Sequence, residues 1–185
     1  MKKYILLMLY CLLFVKLINS EAINYQTTKQ DANTKPYISV SNLKATGWVN
    51  DFAGVLDATN KKKITLLVNE LEKKTTAEIA VVTLYTLGGN KLENFATSLF
   101  NKWGVGKKYK YNGVIILLAV KEKVVRIEIG RGLTKIITNN DADLIIKNEM
   151  FKSFKVGNYG FGLFKGTRAV ANMIVDEYND SLTLH

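Results

Sequence analysis

From Gly47 onward, apolar and polar positions follow patterns whose periods distinguish helices from strands. After the capping residues Asp57-Ala58-Thr59, Ile64, Leu67, Val68 and Leu71 recur at i, i+3, i+4 and i+7, which places them on one helix face. Glu78–Tyr85 (EIAVVTLY) is an apolar run of strand length and predicts a buried strand. Gly88-Gly89 turns the chain, and Asn90 with Glu93 three residues on predicts an N-cap of capping-box type. The helix that follows has Leu92, Phe95, Ala96, Leu99 and Phe100 as its apolar face. Gly113–Val120 (GVIILLAV) has no polar interruption, as expected of a central strand covered on both faces. Lys121-Glu122 supplies a polar turn and Lys123–Ile129 (KVVRIEI) alternates, so the two strands predict a hairpin. Helical segments over Asn139–Lys155 and Tyr159–Tyr178 close the chain. The order β-α-β-α-β-β followed by helices predicts an α/β fold, a three-layer α/β/α sandwich with a short mixed β-sheet flanked by helices.

The first 45 residues follow a different logic. In residues 1–20, Lys2 and Lys3 form a basic start, Tyr4–Val15 an apolar core, and Ser20 a small residue before Glu21. That order predicts a cleaved signal peptide. The apolar run is 12 residues long and ends at Lys16, whereas a membrane span needs about 20, so the mature chain is expected to have no transmembrane span. Residues 21–45 are polar, contain the only proline, Pro36, and read as a spacer with a short strand at Tyr37–Val40. The domain is expected over 46–180. The product is expected to be exported, either periplasmic or secreted.

Removing the signal also narrows the chemistry. Cys11 is the only cysteine, so the mature chain has no disulfide, no thiolate nucleophile and no cysteine metal ligand. The only histidine, His185, is the last residue, a poor place for a catalytic base. Serine-histidine triads, cysteine-histidine dyads and histidine-rich zinc sites are therefore disfavoured. The full chain has 26 basic and 16 acidic residues, for +10, and loss of Lys2, Lys3 and Lys16 leaves +7. The lysines are scattered rather than striped, so the balance points to a solvated surface or an anionic envelope partner, and not to nucleic acid. Gly130-Arg131-Gly132 lacks the third glycine and downstream acid of a dinucleotide site. Gly104-Val105-Gly106-Lys107-Lys108 reads as a tight turn followed by a solvated basic loop. No nucleotide or haem is expected. Trp48, Phe100 and Trp103 read as core or turn anchors.

Five segments in order resemble the TPM domain family: Gly47–Leu56 (GWVNDFAGVL), Thr76–Thr83 (TAEIAVVT), Phe100–Gly106 (FNKWGVG), Asn112-Gly113-Val114 with Arg126–Leu133 (RIEIGRGL), and Phe151–Gly162 with Tyr159 and Gly160. The resemblance covers about residues 46–175. It implies an α/β sandwich and an exported or lumenal, sometimes membrane-tethered, protein. The functions it implies diverge: an acid-phosphatase assignment for a plant member, calcium sites in some bacterial members, and roles in photosystem repair or receptor modulation. The family usually has an acid before Asn-Gly-Val, where this chain has Tyr111. It usually has Glu-Gly and then Asp after Gly-x-Gly-Leu, where this chain has Thr134-Lys135 and Asn139.

Two functional readings follow. One is a non-enzymatic envelope binding or accessory module for a protein or anionic partner. The other is a metal-dependent, acid-phosphatase-like phosphomonoester hydrolase. In the second, Asp51 holds calcium or another divalent cation, or activates water, and Arg131 stabilises phosphate charge. The metal set is Asp51, Asn112, Thr134, Asn139, Asn140 and Asp141, converging from loops beside the sheet. Against it stands Asn139-Asn140-Asp141 as a simple helix cap. Arg131 and Asn112 are the candidate ligand contacts. An arginine at a strand's end holds a phosphate or carboxylate bidentately, or else forms a surface ion pair.

Overall fold

The computed structural model describes residues 39–183. The signal peptide, most of the spacer, Cys11 and His185 lie outside them, as do Tyr37 and Ile38 of the expected short strand. Val40 of that strand instead opens a 3-10 turn, Val40–Asn42, whose N-cap Ser39 accepts the Ser41 N–H through its hydroxyl at 3.3 Å.

Four strands and five helices follow: β1 Val49–Asp51, α1 Ala58–Thr75, β2 Glu78–Leu84, α2 Leu92–Trp103, β3 Gly113–Ala119, β4 Val124–Ile129, α3 Asn139–Ile145, α4 Phe151–Lys155 and α5 Tyr159–Thr183. A 3-10 turn, Arg131–Leu133, follows β4, and a π-helical turn, Ile146–Met150, joins α3 to α4. The sheet runs β1-β2-β3-β4. The first three strands are parallel and β4 closes the expected antiparallel hairpin on β3.

The uninterrupted apolar runs are explained by the layers above and below them. Every residue of β2 and β3 is buried, and strand geometry sends alternate side chains to opposite faces. Ile79, Val81, Val114, Ile116 and Leu118 pack with Ile64, Val68 and Leu71 of α1 and with Leu163, Val170 and Ile174 of α5. Ala80, Val82, Ile115 and Leu117 pack on the other side with Phe95, Ala96 and Leu99 of α2. This is the three-layer α/β/α sandwich expected from the pattern. Leu43 is only 2% exposed within the α2-side core, so packing begins a little before residue 46.

The helix caps correct two expectations. Asp57 caps α1 as expected, accepting the Asn60 N–H at 2.9 Å. The capping box at Asn90 does not form, because the Asn90 amide donates to the Leu87 carbonyl at 2.8 Å and closes the glycine turn. The helix starts at Leu92 with Lys91 as its N-cap and no side-chain cap. At α3 the cap is Thr138, one residue before the expected Asn139-Asn140-Asp141. Its hydroxyl accepts the Asp141 N–H at 3.2 Å while the Asp141 carboxylate accepts the Thr138 N–H at 2.9 Å.

At the end of the sheet where β3 begins and β4 ends, backbone packs directly on backbone. A Cβ on Gly113 would overlap the Val105 carbonyl, and one on Gly132 would overlap the Lys110 carbonyl. The Gly130 N–H donates to the Gly113 carbonyl at 2.8 Å and the Gly132 N–H to the Tyr111 carbonyl at 3.1 Å. Overpacking against rigid backbone costs on the order of 3 kcal/mol. Gly113→Ala is therefore expected to lower unfolding free energy by about that amount in urea titrations followed by circular dichroism. An unchanged midpoint would show that this contact is not tight.

Candidate functional site

The expected site residues occupy three separate places. Asp51 ends β1, in register with Thr83 of β2 and, through it, with Leu118 of β3. Asn112, Arg131 and Thr134 lie at the opposite end of the sheet, where β3 begins and β4 leaves it. Asn139, Asn140 and Asp141 form the first turn of α3, with Asn139 beside the outer edge of β4. Three strand spacings, roughly 14 Å, separate β1 from β4. The six residues do not converge on one cation shell, and among the described residues no three His, Cys, Asp or Glu side chains gather.

The polar atoms of Asp51, Asn112 and Thr134 already have work within the fold. The Asp51 carboxylate accepts the N–H groups of Val55 at 3.0 Å and Leu56 at 2.9 Å, and a short hydrogen bond from the Thr83 hydroxyl. It thereby folds the glycine-containing turn after β1 back onto the strand. The Asn112 amide accepts the Lys107 N–H at 2.9 Å and donates to the Thr76 hydroxyl at 3.2 Å, and the residue is only 8% exposed. Thr134 donates its hydroxyl to the Arg131 carbonyl at 3.0 Å. A divalent cation at any of these carboxylate or amide oxygens would compete with existing donors, so the set does not fit a calcium shell as it stands.

An open cleft of about 520 Å³ lies beside Arg131. Its walls are the C-terminal turn of α2, the Gly104–Lys108 loop, Tyr111 and the end of β4 from Glu128 to Arg131. Tyr111 is in a left-handed conformation, with φ of 50°, and its ring lies under the guanidinium, with Cζ 3.5 Å from the ring centroid. No ion pair forms at Arg131 among the described residues. Lys108 is exposed on the rim. Glu128 is engaged by Arg126 at 2.6 Å and by the Thr97 hydroxyl at 3.0 Å.

Sequence reasoning missed the clasp behind this cleft. The Lys107 side chain stays 43% exposed, as a solvated basic loop implies, but its ammonium also meets Glu72 of α1 at 2.7 Å and Glu78 of β2 at 2.6 Å. Glu72 also accepts the Trp48 indole N–H at 3.0 Å, and Glu78 accepts the Gly106 N–H at 2.6 Å. Hydrogen bonding to Glu72 and then Glu78 raises the Lys107 ammonium pKa above its ordinary range. Hydrogen bonding from Lys107 lowers the Glu72 carboxyl below its ordinary 4.5. No local motif carries this signal, because the three residues come from α1, β2 and the loop after α2. The tryptophans behave as expected: Trp103 donates its indole N–H to the Leu43 carbonyl at 3.2 Å.

Two predictions follow from this geometry. Asp51→Ala leaves two backbone N–H groups and a buried hydroxyl without their acceptor, and is expected to cost about 2–4 kcal/mol in chemical denaturation. A cost near zero would free Asp51 for a chemical role. The Glu72 shift contributes stability above its ordinary pKa of 4.5 that is lost as pH falls through its lower folded value. The Lys107 shift contributes stability below its ordinary 10.5 that is lost as pH rises through its higher folded value. Glu72→Gln should therefore melt below the wild type at neutral pH and converge with it in strong acid. Parallel melting curves at every pH would refute the clasp.

A family model described as TPM domain matches residues 49–173. No curated protein matches the chain. The solution structure of the N-terminal domain of a protein from P. gingivalis is similar, with a TM-score of 0.71 and 28% identity over 77% of this chain and 94% of that one. The BA42 protein from the psychrophilic bacterium Bizionia argentinensis shares 26% identity, with a TM-score of 0.57, over 65% of this chain and 82% of that one. The N-terminal domain of the cg2496 protein from Corynebacterium glutamicum shares the fold, with a TM-score of 0.55 and 18% identity over 75% of this chain and 88% of that one. The ordered motifs, the sandwich and the match over most of the chain agree, and the protein belongs to the TPM domain family.

Proposed function

We propose that this chain is a non-enzymatic binding module of an exported compartment, whose Arg131 cleft holds a carboxylate or phosphate group of an envelope partner. The observation that carries this reading is the Arg131–Tyr111 stack without a carboxylate partner. An aromatic ring fixes the guanidinium plane while leaving its N–H edge open, and that edge matches a planar or tetrahedral anion bidentately. An acid at position 111 would neutralise the same guanidinium; tyrosine does not. Lys108 on the rim adds charge of the same sign. The signal-like residues 1–20 support export, and no helix among the described residues is long and apolar enough to cross a membrane.

The hydrolase reading has less support. It needs Asp51 and Arg131 on one phosphate, yet they lie at opposite ends of a sheet whose central strands are seven residues long, about 20 Å. Asp51 already accepts three hydrogen bonds from its own turn and from Thr83.

One probe separates the two readings. Mature protein titrated with p-nitrophenyl phosphate should bind it with movement of the Arg131 side-chain NMR signal and release no nitrophenolate across acidic to neutral pH, with calcium, magnesium or chelator. Arg131→Ala and Tyr111→Glu should each weaken binding about tenfold, the scale of one lost charge-assisted contact. Turnover abolished by Arg131→Ala would make the cleft an active site, and binding indifferent to both variants would place the anion elsewhere.

A further inference from the structure

The sheet has a second feature, on the far side of β4. The register pairs Val114 with Ile129 and Ala119 with Val124, and the Gly130 N–H donates to the Gly113 carbonyl at 2.8 Å. Antiparallel pairing alternates along a strand, so Glu128, Arg126 and Val124 direct their backbone groups to β3. Val125, Ile127 and Ile129 direct theirs outward, and β4 is the last strand of the sheet. No backbone partner meets those outward groups among the described residues. Ile127 is only 4% exposed, and buried backbone donors and acceptors are rarely left unpaired.

The edge is recessed. Leu92 and Glu93 of α2 stand on one side, and Asn139, Ala142, Asp143 and the adjoining Ile146 stand on the other, around a slot of about 250 Å³. An added strand would lie between these walls and send alternate side chains to each. Each wall carries one exposed carboxylate, Glu93 or Asp143, with no cationic partner among the described residues. The slot's one cation, Arg126, is engaged by Glu128 at 2.6 Å. A second copy of β4 would bring the same acids into the slot, whereas a basic strand complements them.

We infer that the outer edge of β4 is a strand-addition site for an extended peptide segment of a partner protein carrying adjacent basic residues, one toward Glu93 and the next toward Asp143. The backbone ladder supplies the pairing, and the two carboxylates select the sequence. This site is separate from the Arg131 cleft and takes a ligand of opposite charge, so either can fail without the other.

The test uses the mature protein and three capped hexapeptides: Thr-Val-Lys-Lys-Val-Thr, the same peptide N-methylated at alternate amides, and Thr-Val-Glu-Glu-Val-Thr. The first is expected to bind and to slow hydrogen exchange at the Val125 and Ile127 amides. N-methylation, which removes donors without altering the side chains, should weaken binding at least tenfold, and the acidic peptide should not bind. Glu93→Gln with Asp143→Asn should weaken the basic peptide about tenfold while leaving the melting temperature and the Arg131-cleft titration unchanged. Equal binding of the N-methylated peptide would falsify strand addition. Val125 and Ile127 amides already protected in the peptide-free protein would also overturn it. Sedimentation would then show whether a second copy or the chain's own residues occupy the edge.

Discussion

Backbone packed on backbone, with no side chain between, organises the end of the molecule that carries Arg131. Gly113 meets the Val105 carbonyl, and Gly132 meets the Lys110 carbonyl, at a closeness that excludes a Cβ. That contact fixes the loop between α2 and β3 against the turn that leaves β4. Tyr111 sits inside the fixed loop and Arg131 inside the fixed turn, so their stack follows from the glycine contact. The Lys107 clasp anchors the same loop to α1 and β2 from behind. A guanidinium held in this way has lost rotamer freedom before any ligand arrives, which lowers the entropic cost of binding an anion.

The layers were legible because periodicity reports burial. Gly113–Val120 has no polar position, and only a strand covered on both faces tolerates that run. The hairpin, the Asp57 cap and the apolar face of α2 were legible for the same local reasons. The failures were competitions between neighbours. Asn90 had two uses within three residues, and closing the turn at Leu87 won over capping. Thr138 preceded three residues that each resemble a cap, and the reciprocal bond with Asp141 selected it. The π-helical turn at Ile146–Met150 has no signature in the apolar pattern, which predicts an unbroken helical segment over Asn139–Lys155.

The site was less legible because its parts meet only through the sheet. Asp51 stands out in sequence as an acid within a recognisable motif, but its role is to fold the turn after β1. The glycines flanking Arg131 read as a turn without the rest of a dinucleotide motif, and their observed role is close backbone contact. Lys107, Glu72 and Glu78 are unremarkable individually, and only parallel pairing of β2 with β3 brings them together. Charge counting treated every lysine alike, whereas Lys107 is clasped and Lys108 is exposed.

Within the cleft, the side chain at position 111 governs the charge around Arg131. The sheet, the helices and the glycine contacts hold the cleft in place without fixing the sign of any ligand. Under the proposed reading, the sign of the ligand follows from the side chain lying under Arg131. A carboxylate there would leave the pair near neutral and add an oxygen donor for a metal; a tyrosine ring leaves the positive charge uncompensated and flat against a π face. The neighbouring acids offset that charge only in part: Lys107 is shared by Glu72 and Glu78, which leaves one negative charge behind the loop, and Glu128 is paired with Arg126, while Arg131 and Lys108 stand at the cleft itself. Charge in the cleft thus depends on which acids are engaged, and the net charge of the whole chain adds only a background to it.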